Sequence, residues 1–495
     1  MSFGSKTSVL RAKLRPRGFV AVFYGLCLML PLAGCFVGTE KPDPALDIPA
    51  SYSAGPRSQR AAEIALPPLD WWRGFHSREL TAIIEQARAA NLDIAAAVAR
   101  IVQADAQARI AGATLLPAAE IDGSASQSQS SKNAGGSGSV QHLYSASLNA
   151  SYEIDFWGKN RAALRAAEET AVASRYDREV VGLATVVTVA NAYFQVLAAQ
   201  DRLRVGRENL TSATRVLNLI KQRLAAGTAS QLDTAQQESL VNTQRAAIPP
   251  LEQTLRQNKV ALAVLMARPP EQVAIRGGSL RRISIPRITP GLPSELIGQR
   301  PDIRQAEAQL AAASANVENA RAQFFPSIRL TGEGGYQSAV LKTLFQPASV
   351  FYNMAAGLTQ PVFDGLRLAG NLDLQQGRQD ELLQNYRKAV ISGFADVENA
   401  LVAIQQTTQR ERLQGEVVAS SRRAFDISEQ RLREGTVDLV TVLNTQQTLY
   451  QAEDARAQAR LARLQAVVSL YQALGGGWLP QPLPRPRPPE ASDAR

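Results

Sequence analysis

The chain repeats itself at an interval of about 208 residues, and this duplication limits the folds open to it more than any other feature. Asn91-Leu92-Asp93-Ile94 is echoed by Arg300-Pro301-Asp302-Ile303. Ala97, Ala99, Ala104, Ala106 and Ala111 return as Ala306, Ala308, Ala313, Ala315 and Ala320. Leu116-Pro117 returns as Phe325-Pro326, and Arg223-Leu224-Ala225-Ala226-Gly227-Thr228 as Arg431-Leu432-Arg433-Glu434-Gly435-Thr436. The offset is 209 before the Pro pair and 208 at the Gly-Thr pair, so insertions between the two are small. No short-unit solenoid has so long a period. It describes one large supersecondary unit used twice, each copy completing the other's core or a ring.

Each copy has the same order: a shorter helix, a hairpin, a very long helix, a turn and a return helix. Between Gly158 and Gly227 lie 68 residues without Pro, and between Gly365 and Gly435 lie 69. At 1.5 Å per residue, each stretch makes a helix of roughly 100 Å if unbroken. Val180, Val181, Val186, Val187 and Val189 are β-branched, which a helix tolerates where packing stabilises it. In the second copy Leu382, Leu383, Tyr386, Val390, Ile391, Phe394, Val397 and Leu401 form a stripe at helical spacing. The return helices, 230–266 and 437–474, end at Pro269-Pro270 and at Gly475-Gly476-Gly477. Pro249-Pro250 predicts a kink or interruption in the first return helix, with no counterpart in the second.

Between the first two helices of each copy the period changes to two. Tyr144, Ala146, Leu148, Ala150, Tyr152, Ile154 and Phe156 alternate with Ser145, Ser147, Asn149, Ser151, Glu153 and Asp155. A weaker partner runs through Ala119, Ile121, Gly123 and Ala125, joined by a Gly/Ser loop in which His142 is placed. The second copy supplies Ile328, Leu330 and Tyr336 on one strand and 351–363 as the other. Strands of this length, apolar on one side and polar on the other, suit either a transmembrane barrel with a wet interior or a soluble sheet packed on helices. Four strands cannot close a barrel, since even small closed ones need about eight. Open edges are forbidden in lipid, so a membrane location requires several copies of the chain.

Lys6, Arg11, Lys13, Arg15 and Arg17 precede an apolar run from Phe19 to Leu32, too short for a permanent span. The run ends in Leu32-Ala33-Gly34-Cys35, which resembles the lipobox of bacterial lipoproteins. That resemblance implies cleavage before Cys35 and acylation of its thiol and amine; Phe36 in place of Asp favours release to the outer membrane. Cys27 leaves with the signal, so the mature chain has no disulfide in an oxidising compartment. Loss of the five signal cations leaves 49 Lys and Arg against 44 Asp and Glu, a net charge of +5. The surplus is not clustered as nucleic-acid binding requires. The two histidines, His76 and His142, neighbour no metal-ligand cluster, and no GxSxG, HExxH or P-loop is present. No catalytic constellation or cofactor site is expected, beyond the acyl lipid on Cys35.

Five further segments carry a wider resemblance: Trp71-Trp72-Arg73-Gly74-Phe75, Asp155-Phe156-Trp157-Gly158, Gln299-Arg300-Pro301-Asp302-Ile303-Arg304-Gln305-Ala306-Glu307, Pro361-Val362-Phe363-Asp364-Gly365 and Thr445-Gln446-Gln447. With the lipobox and the Gly-Thr turns they resemble the outer-membrane factors of tripartite efflux pumps, over nearly all of 35–478. The lipoprotein branch is the nearer likeness. The resemblance implies a mainly α, internally duplicated chain with a transmembrane β-barrel part, four strands per chain closing as a homotrimer of twelve strands above a twelve-helix tunnel. It implies partners as well: a periplasmic adaptor, an inner-membrane RND-type pump and outer-membrane lipid. The expected organisation is a signal peptide 1–34, a lipid-anchored extension 35–70, a first repeat 71–266 with its hairpin at 115–157, and an equatorial connector 267–300. A second repeat 301–478 follows, with its hairpin at 325–364, and then a Pro-rich tail 479–495 without packed structure.

The same resemblance implies a conducting, non-enzymatic role with a closable periplasmic aperture. The adaptor-docking tips fall on Gly227, Thr228, Gly435 and Thr436. The aperture's apolar ring falls on Val440, and its usual aspartate is replaced by Asn444, so cation binding there is expected to be weaker. Asp233 and Asp438 can supply acidity instead, and Asp233 with Arg433 of a neighbouring tip is the expected latch. Three rivals remain at this point: a type I protein-secretion channel, a coiled-coil scaffold lipoprotein and a periplasmic hydrolase.

Overall fold

The structure is a computed structural model that describes residues 44–46, 49, 52–53, 67–131, 133, 138–286, 288, 293–476 and 478. The signal segment, Cys35 and the tail 479–495 lie outside the described residues. The described chain forms two compact units: one of residues 108–167 and 312–379, the other of the remaining positions.

The duplication is built almost residue for residue. After α1 (Arg78–Ala90), the first copy has α2 (Leu92–Ala113) with 22 residues, α3 (Lys159–Ala225) with 67 and α4 (Gln231–Leu265) with 35. After the short α5 (Pro293–Gln299), the second copy has α6 (Pro301–Ala322) with 22, α7 (Arg367–Glu434) with 68 and α8 (Leu439–Ala473) with 35. Between α2 and α3 lie β1 (Ala118–Gln129) and β2 (Val140–Ile154); between α6 and α7 lie β3 (Ser327–Ser338) and β4 (Val350–Thr359).

The first motif of the repeat is a clamp, made differently in each copy. Asn91 accepts the Asp93 and Ile94 amides, at 2.9 and 3.1 Å, capping α2, and donates to the Leu265 carbonyl at the end of α4 at 3.0 Å. One repeat later Arg300 donates to the Ala473 carbonyl at the end of α8 (3.2 Å) and to Asp302 and Asp396 (2.7 and 2.9 Å). A neutral amide and a guanidinium thus fasten the start of the short helix to the end of the return helix. Both answer the same need, because the last carbonyls of a helix lack intrahelical donors.

Pro249 and Pro250 do not interrupt α4, which runs through them. Both prolines are exposed, as are Arg245 and Ala246, so the carbonyls they strip of donors can turn to water. One stretch of α3 is apolar enough by composition to cross a membrane. Its burial shows a core helix instead: Val189, Ala190, Phe194 and Val196 are fully buried against Trp71, Phe75, Leu80, Leu280 and Tyr471. The N-terminal segment and the connector share this core, with Trp71 stacked on Tyr471 at 4.5 Å and Ser284 N–H bonded to the Phe75 carbonyl. Tyr193 donates to Glu79 (2.9 Å), whose carboxylate also receives the Arg276 and Gly277 amides.

The four strands make one antiparallel sheet in the order β1-β2-β3-β4, so the two hairpins join through β2 and β3. β2 starts earlier than the alternation suggests and includes His142, paired with Gln127, where a loop is expected. β4 stops at Thr359, because Pro361 has no N–H for the ladder.

Candidate functional site: an open-edged sheet and two helical tips

The register sorts the side chains by chemistry. Ile121, Leu148, Gly334 and Tyr352 are consecutive partners across the sheet, as are Ala119, Ala150, Gly332 and Met354. One step along, Glu120, Asn149, Glu333 and Asn353 form a row on the opposite face, followed by Asp122, Ser147, Gly335 and Phe351. One face is therefore apolar and the other polar with an acidic bias. Among the described residues nothing covers the apolar face: Ile121, Met354 and Tyr352 are 84%, 83% and 80% exposed. β1 and β4 are unpaired along their outer edges among the described residues. Such a sheet in water would be an aggregation hazard, and in lipid its edges cannot stay open.

Where strands meet helices, an aspartate and a glycine recur. Asp155 accepts the Asn160 and Arg161 amides (both 2.9 Å) at the head of α3, and Asp364 the Leu368 amide (2.9 Å) at the head of α7. Gly158 and Gly365 take positive φ beside them (78° and 66°). Trp157 stacks on Phe325 at 4.7 Å and donates to the Pro326 carbonyl. Val362 and Phe363, over 90% and at 90% exposed, project beyond β4.

In the other unit, the tips are two near-identical turns. Gly227 and Gly435 adopt φ of 74° and 76°. In the first, the Gly227 amide bonds to Leu224 O and the Thr228 amide to Arg223 O; in the second, Gly435 bonds to Leu432 O and Thr436 to Arg431 O. This is the double bond pattern of a Schellman cap. Each threonine hydroxyl donates to the same carbonyl as its amide, at 3.1 and 3.3 Å, which explains why Thr follows Gly in both copies. The next helices start with Ser230, in a reciprocal capping box with Asp233, and with Asp438, which accepts the Thr441 amide at 2.9 Å. Hydrogen bonding from the Thr441 hydroxyl and then from its amide holds the exposed Asp438 carboxyl below the usual aspartate range.

Along α8, Leu439, Val442, Gln446 and Leu449 are buried, whereas Val440 and Asn444 share an exposed face one turn apart. Asp233 and Arg433 do not meet within one chain. Asp233 is engaged by Ser230, and Arg433 donates to Glu429 at 2.6 Å. No motif marks Glu429, yet it is buried and also receives Arg215 of α3 at 2.9 Å, tying the two long helices together. Arg223 reinforces that tie by donating to the Leu432 carbonyl at the end of α7. A second unforeseen tie runs from Gln446 to Tyr450 OH (2.6 Å) and on to the Asn209 carbonyl (2.9 Å). Only the 209-residue separation of Arg223 and Leu432, close to the repeat offset, could have hinted at these contacts.

No group of His, Cys, Asp or Glu suited to a metal ion occurs among the described residues. The family model described as outer membrane efflux protein matches residues 83–268 and again 292–476, once per copy. The pyoverdine export outer membrane protein OpmQ of Pseudomonas putida is 42% identical over 463 residues, covering 92% of this chain and 97% of its own length. The toluene efflux pump outer membrane protein TtgC of Pseudomonas putida is 30% identical over 455 residues, covering 91% and 94%. The structure of the outer-membrane channel OprN superposes with a TM-score of 0.84 at 25% identity, over 90% of this chain and all of that one. With its family match in both copies and its amphipathic sheet joined to long capped helices, this chain belongs to the outer membrane efflux protein family.

Proposed function

We propose that this protein is the outer-membrane channel of a tripartite efflux system, conducting small molecules passively from a periplasmic adaptor and an RND-type inner-membrane pump to the exterior. The open-edged sheet carries this reading. One apolar face and two unpaired edges are stable in lipid only if strands of other copies close the ring. Three copies place twelve strands in the membrane and continue as a tunnel of twelve helices, with Cys35 acylated as an anchor. The acidic rows then line the lumen, and Val440 and Asn444 face the periplasmic aperture. The capped tips at Gly227-Thr228 and Gly435-Thr436 offer the adaptor a rigid docking surface. Asp233 and Arg433 pair between neighbouring chains in the closed state.

Relatives named for pyoverdine and for toluene share this scaffold, so chemically unlike cargo leaves through one architecture. That supports passive conduction, with choice of cargo made upstream. The test is planar-bilayer recording of the purified full-length protein: discrete conductance steps are expected. A protein that binds the bilayer without conducting would leave the scaffold reading in place.

A further inference from the structure

We propose that the cleft of about 480 Å³ lined by Arg281, Arg456, Arg422 and Arg204 is an oxyanion site, taking a phosphate or carboxylate group between the Arg281 and Arg456 guanidiniums. Nothing in the transport reading uses this cleft, which lies among α3, α7, α8 and the connector turn at 280–282.

The charges in the cleft do not balance once their pairings are counted. Asp201 is held by Arg204 (2.6 Å), the Ser279 hydroxyl and the Leu280 amide. Glu208 is engaged by Arg204. Glu453 receives Arg422. Glu411 is shared between Arg460 (3.1 Å) and Arg463 (2.9 Å), and Arg460 spends its remaining donors on the Leu280 and Ile283 carbonyls. Every lining carboxylate is thus taken. The side chains of Arg281 and Arg456 make no hydrogen bond or ion pair among the described residues. On α8, Arg456, Arg460 and Arg463 fall at i, i+4 and i+7, one cationic stripe in which Arg460 and Arg463 share Glu411 and Arg456 has no bonded partner among the described residues.

Two guanidiniums brought to one cleft with neither hydrogen-bonded to a carboxylate repel each other, and Arg456, which is half-buried where Arg281 is exposed, also loses hydration. Partial burial first, and then Arg281, hold the Arg456 guanidinium below the usual arginine range, and the nearby Glu411 and Glu453 carboxylates offset this only in part. Such an arrangement is self-consistent when an anion completes it: each planar guanidinium offers a fork of donors matched to two oxygens of a phosphate or carboxylate. The volume accommodates a small molecule carrying that group.

The test is isothermal titration calorimetry of the full-length protein in detergent at low salt, with inorganic phosphate and with succinate as probes. Saturable binding of about one phosphate or succinate per chain is expected, weakened at least tenfold by Arg281→Gln and by Arg456→Gln. Arg412→Gln, whose guanidinium is exposed outside the cleft and paired with Glu416, leaves binding unchanged. Phosphate binding alone assigns the site to phosphate groups; binding of both probes extends it to carboxylates. Absence of saturable binding, or unchanged affinity in both cleft variants, overturns the proposal. So does loss of the folded oligomer in Arg456→Gln with no binding by the unmodified protein, since the guanidinium then serves a contact between chains. Removing an uncompensated charge leaves the far-UV circular dichroism of both variants unaltered.

Discussion

Arg300→Ala removes one of the two clamps that hold the repeats shut, and its cost follows from the contacts. The Arg300 side chain is 10% exposed and makes two hydrogen bonds to Asp302, at 3.0 and 2.7 Å, one to Asp396 and one to the Ala473 carbonyl. The charged pair with Asp302, which is 38% exposed, is worth about 1.5–3 kcal/mol. Asp396 is half exposed, and its screened contact adds about 0–1 kcal/mol. Losing the donor to the Ala473 carbonyl adds about 1 kcal/mol. Together these come to about 2.5–5 kcal/mol of local stability, or roughly seventyfold to a few thousandfold in the opening equilibrium. Amide hydrogen exchange reads that equilibrium segment by segment. Amides at the start of α6 and the end of α8 should exchange faster by that factor in Arg300→Ala. Those around Asn91 and Leu265, held by the other clamp, should keep their rates. Arg300→Lys, with its single point charge, should fall between. Protection within threefold of the unmodified protein at Ala473 would refute the clamp.

Three other outcomes follow from the geometry. Gly435→Ala forces a Cβ into φ 76° and costs about 1–2 kcal/mol at the tip, read as faster exchange confined to 431–440; Thr436→Val, losing only the hydroxyl bond, costs less. Asp233→Ala or Arg433→Ala raises conductance if they latch neighbouring chains, whereas Ser230→Ala, which breaks the same capping box without removing charge, does not; unchanged conductance in both charge variants rules the latch out. Burial pushes Tyr193 and Tyr450 up to about 12, above the unfolded phenol near 10, so the stability they lend is intact below pH 10 and is lost as pH rises from 10 to 12. Tyrosinate absorbance in the folded protein should lag that of the denatured chain across the same window.

Much of the fold was legible because it is written in local patterns. Pro-free stretches set α3 and α7, alternation set the four strands, and Gly-Thr marked both tips. Where pattern misled, a local rule met a tertiary circumstance. Pro249-Pro250 breaks a helix only if the freed carbonyls find no partner, and at an exposed face water is available. His142 follows a Gly/Ser run, yet its backbone pairs with Gln127 because the hairpin ladder continues past the last alternating residue. Of the residues expected at the docking tips and the aperture, the chain itself explains the tip glycines and threonines and the aperture's Asp438 as caps, and it leaves Val440 and Asn444 exposed. The ties through Glu429, Arg223 and Tyr450 were invisible, since each joins residues about 200 positions or more apart that only the folded duplication brings together.

The most direct test of the channel is the native mass of the full-length protein extracted from membranes in mild detergent. A mass of three chains, each carrying the excess of an acylated Cys35, is the expected result, because only shared closure satisfies β1 and β4 in lipid. A stable single chain, with both sheet edges open, would contradict the account.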